Sequence, residues 1–275
     1  MREMAEKSKK IKFRLFRYSG NGEAEFKEYE VQVQEGMTVL DALIWIKENL
    51  DPTVSYRASC RMGICGSCGA FINGSPNLMC QTQVLHLNSD VVTVKPMPNY
   101  PVIKDLVPNL ENLFKKHSMV HPYLIRKDKE EQENPRGEYF QTPEDWHYYF
   151  QFNYCVKCGL CLTACPTVAT DESFIGPHAL AQAFRYNEDT RDEGEEIRFG
   201  VVDTAHGVWR CHFAGACSEA CPKGVDPALA IQLLKRRIIS RRLGFRKARK
   251  GTPLAPEPKE AKRREGIPEA PKPTV

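Results

Sequence analysis

The sequence predicts an α+β protein in two parts, a small β-rich domain followed by an all-helical one. Three observations carry this. Apolar and polar residues alternate at strand period between residues 11 and 33. Apolar residues take helical spacing in the C-terminal half. The 11 cysteines fall in three clumps, one in the first part and two in the second.

The elements follow in order. Ile11, Phe13 and Leu15 alternate with Lys12 and Arg14, which is a strand with one face towards a core. Ser19-Gly20-Asn21-Gly22 is a turn signal. Tyr29, Val31 and Val33 alternate with Glu30, Gln32 and Gln34, so the two segments form a hairpin. Thr38 caps a helix in which Val39, Leu40, Leu43, Ile44 and Leu50 hold helical spacing, and Asp51-Pro52 stops it. Phe71-Ile72, the turn Asn73-Gly74 and a strand from Val91 to Val94 close the domain. A hairpin, a helix, a cysteine-bearing loop and closing strands predict a β-grasp domain over residues 11–108.

Residues 109–247 form the helical domain, with 109–150 as its connection to the first. Pro96, Pro98, Pro101 and Pro108 lead into that connection, and Trp146-His147-Tyr148-Tyr149-Phe150 reads as interdomain packing. Ala179, Leu180, Ala183 and Phe184 share one helix face. Asp226 caps and Pro227 opens another helix, which carries Leu229, Leu233, Leu234 and Ile238. Residues 1–10 lack any apolar period and 248–275 form a basic, proline-rich tail, so both ends are expected to be disordered.

Composition narrows the class. The apolar fraction of 41% lies below the usual ~45–50%, partly because of those polar ends. No apolar run nears the ~18 residues of a membrane span. The best, Val39 to Ile46, is interrupted by Asp41. Glu3 and Glu6 argue against a transit peptide, so the chain is expected to fold in a reducing compartment with free thiols. Net charge is +4, yet residues 235–250 hold nine Lys or Arg and no acid, leaving −5 elsewhere. Those cations suit either the negative end of a helix or contact with anionic lipid or an acidic partner. No aromatic platform or finger accompanies them, which argues against nucleic acid.

The cysteines carry the chemistry. Cys60, Cys65 and Cys68, followed by Cys80, have plant-type 2Fe–2S spacing, and Gly63, Gly66 and Gly69 let the loop fold closely. Structural zinc prefers paired knuckles, which this run lacks. Cys155, Cys158, Cys161 and Cys165-Pro166 form a bacterial ferredoxin run, whose fourth cysteine serves the other cluster. Cys211, Cys217 and Cys221-Pro222 fit the same template with Ala214 at the missing place. Crossing the fourth cysteines assigns Cys155, Cys158, Cys161 and Cys221 to a 4Fe–4S cluster. Cys165, Cys211 and Cys217 then hold a 3Fe–4S cluster, with a 4Fe–4S cluster using a non-cysteine ligand such as His212 as the alternative. No P-loop, dinucleotide fingerprint or nucleophile motif is present, so no residue is assigned a catalytic role on a carbon substrate. The reading is a one-electron relay.

Ser59-Cys60-Arg61-Met62-Gly63-Ile64-Cys65-Gly66-Ser67-Cys68-Gly69, Phe174-Ile175-Gly176-Pro177, the run from Phe184 to Asp192 and the run from Cys217 to Pro227 resemble the iron–sulfur subunit of succinate dehydrogenase and fumarate reductase, over roughly residues 11–245. The resemblance implies a plant-type ferredoxin domain followed by an α-helical ferredoxin domain. It implies an FAD-containing flavoprotein partner beside the first domain, and a membrane anchor and quinone beside the second. It places Pro166, His212 and Lys235 at or near the quinone site, although Thr167-Val168-Ala169-Thr170 stands where some members carry tryptophan. Attachment is then peripheral, at the cytoplasmic face of the cell membrane in a prokaryote. Either direction of the succinate–fumarate couple fits, as does a subunit of another flavin-linked reductase. A zinc-stabilised binding protein is the alternative from a different class.

Overall fold

The computed structural model describes residues 9–245. Residues 248–275 and most of 1–10, both expected to be disordered, lie outside the described residues. Lys9 and Lys10 do not: strand β1 (Lys9–Arg17) begins two residues before the expected Ile11. The reason is pairing, since Lys9 and Lys10 sit opposite Val33 and Gln32 of β2 (Glu25–Val33).

Helix α1 (Val39–Asn49) follows, and its start is a capping box. Thr38 Oγ1 accepts from the Asp41 amide at 3.2 Å, and Asp41 returns the bond to the Thr38 amide at 3.0 Å. Strands β3 (Gly69–Ile72) and β4 (Ser75–Leu78) form a hairpin. Its turn residues Asn73 and Gly74 both have positive φ, 45° and 86°, as the expected tight turn requires. Strand β5 (Val91–Lys95) runs parallel to β1 and antiparallel to β3, giving the sheet order β2-β1-β5-β3-β4. Leu40, Leu43 and Ile46 of α1 are buried in one core with Ile11, Phe13, Leu15, Val31 and Val94. Asp51, just past the helix, accepts from Lys27, Tyr29 and Arg17 at 2.7–2.8 Å. Those bonds, Lys27 first, hold its carboxyl well below the usual range and pin the helix end to both hairpin strands. A short ribbon of β6 (Val102–Lys104) and β7 (Val107–Pro108) completes this part.

The expected connection is in fact helical, with α2 (Glu111–Met119), α3 (Lys129–Glu133) and α4 (Pro143–Tyr149). It belongs to the helical body. Lys116 donates to the Glu172 carbonyl at 2.6 Å, and the Tyr149 hydroxyl to Asp189 at 3.0 Å. The aromatic run corrects the interdomain expectation. Tyr149 is buried against Asp189 within the helical body, while Trp146 and Tyr148 stay 43% and 51% exposed. Interdomain hydrogen bonds come instead from the proline-rich segment after β5. There Asn99 Nδ2 donates to the Leu162 carbonyl at 2.9 Å, and the Tyr100 hydroxyl to the Gly159 carbonyl at 3.1 Å.

Short helices α5 (Leu160–Thr163) and α6 (Pro166–Thr170) lead to the buried α7 (Pro177–Glu188). Then come α8 (Glu195–Val202), α9 (Ala216–Glu219) and α10 (Pro227–Arg242), which packs on α7. The basic stretch is largely neutralised where it is described. Arg237 pairs with Glu188 at 2.5 Å and with Glu195, Arg241 with Glu196, and Arg242 with Asp203 at 2.5 Å. Arg236 remains exposed. Among the described residues no helix is long and apolar enough to cross a membrane.

Candidate iron–sulfur centres

The first cysteine loop runs between α1 and β3 and folds back on itself through positive φ at Arg61 (58°), Gly63 (70°) and Gly66 (72°). That curl aims backbone amides at sulfur. The Gly63 amide donates to Cys80 Sγ at 3.2 Å, and those of Ile64 and Cys65 to Cys60 Sγ at 3.3 and 3.2 Å. Such donors stabilise negative charge on thiolate, the form a metal requires. Cys60, Cys65, Cys68 and Cys80 thus gather at one edge of the sheet. Met62 and Ile64 stand 70% and 57% exposed beside them.

The second and third clumps form two recesses side by side in the helical body. Cys155, Cys158, Cys161 and Cys221 line one recess, with His178 and Ala181 of α7 on its wall. Cys165, Cys211 and Cys217 line the other, together with Pro166, Phe213 and Ala214. The chain supplies both through one backbone device used twice. Lys157 and Gly159 have φ of 56° and 83°; Phe213 and Gly215 have 59° and 78°. Each pair leads into a four-residue helix, α5 or α9, and then into Cys-Pro. In this repeat Cys155 answers to Cys211, Cys161 to Cys217 and Cys165 to Cys221. Cys158 answers to Ala214. Sequence reading found that missing thiol but not the left-handed residues that flank it; the glycine recurring directly after Cys158 and Ala214 was the available signal.

Electrostatics agree with the grouping. Burial first, then the neighbouring Cys155 and Cys221, pushes Cys158 up to about 11. Burial, followed by Cys165 and Cys211, pushes Cys217 up to about 12. Cys158 and Cys217 are each shifted by members of their own recess, which requires those to be near, and Cys161 of the first recess also feels Cys217 of the second. The donor set is all sulfur, and the recesses are space that thiols enclose. Among the described residues no three His, Cys, Asp or Glu side chains converge as a single-ion site would demand. The residues therefore fit clusters, which sit in such spaces with thiolates at the rim.

Cys65 differs from the rest. It is exposed, and the Ser67 hydroxyl at 3.1 Å brings its thiol down to about 6. Cys68, in the same loop, is pushed up to about 12 by burial. In chelator-stripped protein at pH 7, iodoacetamide is expected to alkylate Cys65 orders of magnitude faster than Cys68, since thiolate is the nucleophile. Peptide mass mapping against time checks this; equal rates would contradict it.

The residues expected near a quinone divide. Pro166 lies on the wall of the third recess. Lys235 donates to the Cys211 carbonyl at 2.9 Å. His212 is exposed beside Cys211.

Comparison with known proteins follows the same division. Residues 12–115 match the family model described as a 2Fe-2S iron-sulfur cluster binding domain, and residues 151–225 that of a 4Fe-4S dicluster domain. The chain is 48% identical over 210 residues to the fumarate reductase iron-sulfur subunit of Mycobacterium tuberculosis, spanning 76% of this chain and 84% of that one. It belongs to the iron–sulfur subunits of succinate dehydrogenase and fumarate reductase. As a member, it is an oxidoreductase component with a ferredoxin-like 2Fe–2S domain and a 4Fe–4S ferredoxin domain. The fumarate reductase subunit of Escherichia coli is 44% identical over 204 residues, covering 74% of this chain and 82% of its own. The succinate dehydrogenase subunit of Paracoccus denitrificans is 40% identical over 207, covering 75% and 78%. A chain of the Mycobacterium smegmatis Sdh1 complex in the apo form superposes with a TM-score of 0.73 at 29% identity, covering 86% of this chain and 98% of that one.

Proposed function

We propose that this subunit relays single electrons between the FAD of a flavoprotein and a membrane quinone. Cys60, Cys65, Cys68 and Cys80 hold a 2Fe–2S cluster, and Cys155, Cys158, Cys161 and Cys221 a 4Fe–4S cluster. Cys165, Cys211 and Cys217 hold a 3Fe–4S cluster. When bound, these clusters supply one-electron carriers and nothing else. The chain supplies their order: a β-grasp domain over 11–108 places the first site beside exposed Met62 and Ile64, and the helical domain over 109–247 carries the other two. The flavoprotein docks at the first site. The anchor and quinone lie at the third, so attachment is peripheral, on the cytoplasmic side in a prokaryote.

The observation that carries the reading is the repeated half-site in which Ala214 stands where Cys158 would be. A methyl group cannot ligate iron, so that corner of the cluster is left without a protein ligand. Oxidised holocomplex is expected to show the isotropic paramagnetic resonance of a three-iron cluster near the free-electron g value. Its absence from intact, fully oxidised protein would refute the assignment.

The chain's own residues shape the third site. Lys235 fixes the Cys211 carbonyl, and with it the loop that presents His212 outward. His212→Ala is expected to slow quinone reduction by roughly 10²-fold or more, the usual worth of a positioned proton donor, while succinate-linked dye reduction upstream is unchanged. An unchanged quinone rate would remove His212 from the site.

A further inference from the structure

We propose that Gly66 and Gly69 set the spacing between the first and second cluster sites, because their missing side chains let the first cysteine loop seat on residues 156–160. The inference rests on the ligand assignment above and adds the residues that fix the gap an electron must cross.

The contact is close. A Cβ on Gly66 would lie 2.8 Å from Cys158 Cβ, and 3.1 Å from both Cys158 Cα and Val156 Cγ2. Carbon atoms in contact prefer about 3.5–4.0 Å, so the two loops would have to part by roughly 1 Å. The obstacle is the backbone of a cluster ligand, which cannot swing aside as the end of a long side chain can. A Cβ on Gly69 would meet Met97 Sδ at 3.0 Å, Leu160 Cδ2 at 3.3 Å and the Cys158 carbonyl at 3.4 Å. The helical domain reciprocates, since a Cβ on Gly159 would lie 2.6 Å from the Tyr100 hydroxyl. Three glycines therefore interlock at the junction that Asn99 and Tyr100 clamp.

Glycine at Gly66 has a second, local reason, its φ of +72°. The two reasons separate. Gly63 shares that backbone, at +70°, but the three atoms nearest a Cβ there, at 2.3–2.8 Å, all belong to the flexible Gln81 side chain of its own domain. Gly69 is the reverse case: it adopts no left-handed φ, yet it touches the second domain. Asparagine tolerates the left-handed region while carrying a Cβ. Gly66→Asn therefore keeps the turn and adds the obstacle, Gly63→Asn keeps the turn without it, and Gly69→Ala adds bulk without strain. Tunnelling weakens exponentially with separation, so a shift of this size bears on function.

The test uses the whole complex with both clusters reduced, read by electron paramagnetic resonance. In unmodified protein the reduced second cluster is expected to speed the spin relaxation of the first, an effect that falls steeply with distance. Gly63→Asn should retain that enhancement. Gly66→Asn should lose much of it, with the first cluster's own spectrum and iron content unchanged, and Gly69→Ala a smaller part, because its contacts of 3.0–3.4 Å are only slightly tight. Full enhancement in Gly66→Asn overturns the proposal, and so does its loss in Gly63→Asn with iron content intact. If Gly66→Asn fails to hold its cluster, Gly69→Leu, which carries a larger side chain into the same junction, decides alone: full enhancement there overturns the proposal. Failure of the ligand assignment looks different: one of the two reduced-cluster spectra is then missing from unmodified complex.

Discussion

Arg198→Leu is expected to destabilise the helical domain by about 3–5 kcal/mol, the cost of leaving one partner of a buried ion pair uncompensated. Arg198 is fully buried. Its guanidinium forks onto Asp192, at 2.6 Å to Oδ1 and 2.9 Å to Oδ2. Its remaining donors reach the carbonyls of His121 (3.2 Å) and Tyr123 (2.8 Å). One side chain on α8 thus holds the chain leaving α2 against the loop that follows α7. Leucine would leave the buried Asp192 charge without its cation and remove the donor to the Tyr123 carbonyl, while the His121 carbonyl keeps the Tyr123 amide at 2.8 Å. Circular dichroism of the heated protein should show Tm lower by roughly 10–20 °C. Adding Asp192→Asn should recover part of the loss. It removes the stranded charge and keeps one oxygen for one of the two amides that Asp192 receives, Ile125 on Oδ2 at 2.9 Å or Gly194 on Oδ1 at 2.7 Å. A fall under about 1 kcal/mol would mean the pair is not a structural tie.

Nothing in the sequence around Arg198 marks it as interior. Read along the chain, Asp189 to Arg198 is a charged run, and charge normally means solvent. Arg198 is buried because Asp192, six residues back, and the distant carbonyls of His121 and Tyr123 take its donors, and sequence period cannot see partners. The same blindness affected the basic stretch. Arg237, Arg241 and Arg242 read as cations for a helix end or for contact with lipid or an acidic partner, yet their acids lie upstream at Glu188, Glu196 and Asp203. It affected the aromatic run too, where Tyr149 turns inward with its hydroxyl against Gln141 Oε1 at 2.6 Å and Asp189 at 3.0 Å. Local signals fared better. Thr38, the turn at Asn73-Gly74 and the alternation in β1 and β2 were legible because turn chemistry and strand period act over a few residues. The gathering of Cys155, Cys158, Cys161 and Cys221 in one recess, and of Cys165, Cys211 and Cys217 in the other, was legible for another reason. Ligand spacing is a local constraint that one cluster imposes on one loop. Even the crossing of Cys165 and Cys221 between sites follows once the half-site is seen to occur twice.

That repetition makes Ala214→Cys the most informative substitution. It is expected to convert the third centre from three irons to four and to abolish the oxidised resonance described above. The backbone is already prepared: Phe213 and Gly215 flank Ala214 with the left-handed φ values, 59° and 78°, that Lys157 and Gly159 show beside Cys158 at 56° and 83°. A thiol at 214 would enter the recess lined by Cys165, Cys211 and Cys217, as Cys158 enters its own. The consequence reaches the relay because cluster type and net charge help set the reduction potential. For a one-electron carrier each fall of about 59 mV costs tenfold in the equilibrium for receiving an electron, so a fall of about 120 mV costs a hundredfold. Quinone reduction should therefore slow, while reduction of an artificial acceptor at the flavoprotein does not. Ala214→Val controls for bulk, and it should keep the three-iron signal. Iron content, the oxidised spectrum and a redox titration decide the matter together. A variant that retains the original resonance at full intensity would show that the place beside Ala214 is not where the fourth iron is missing.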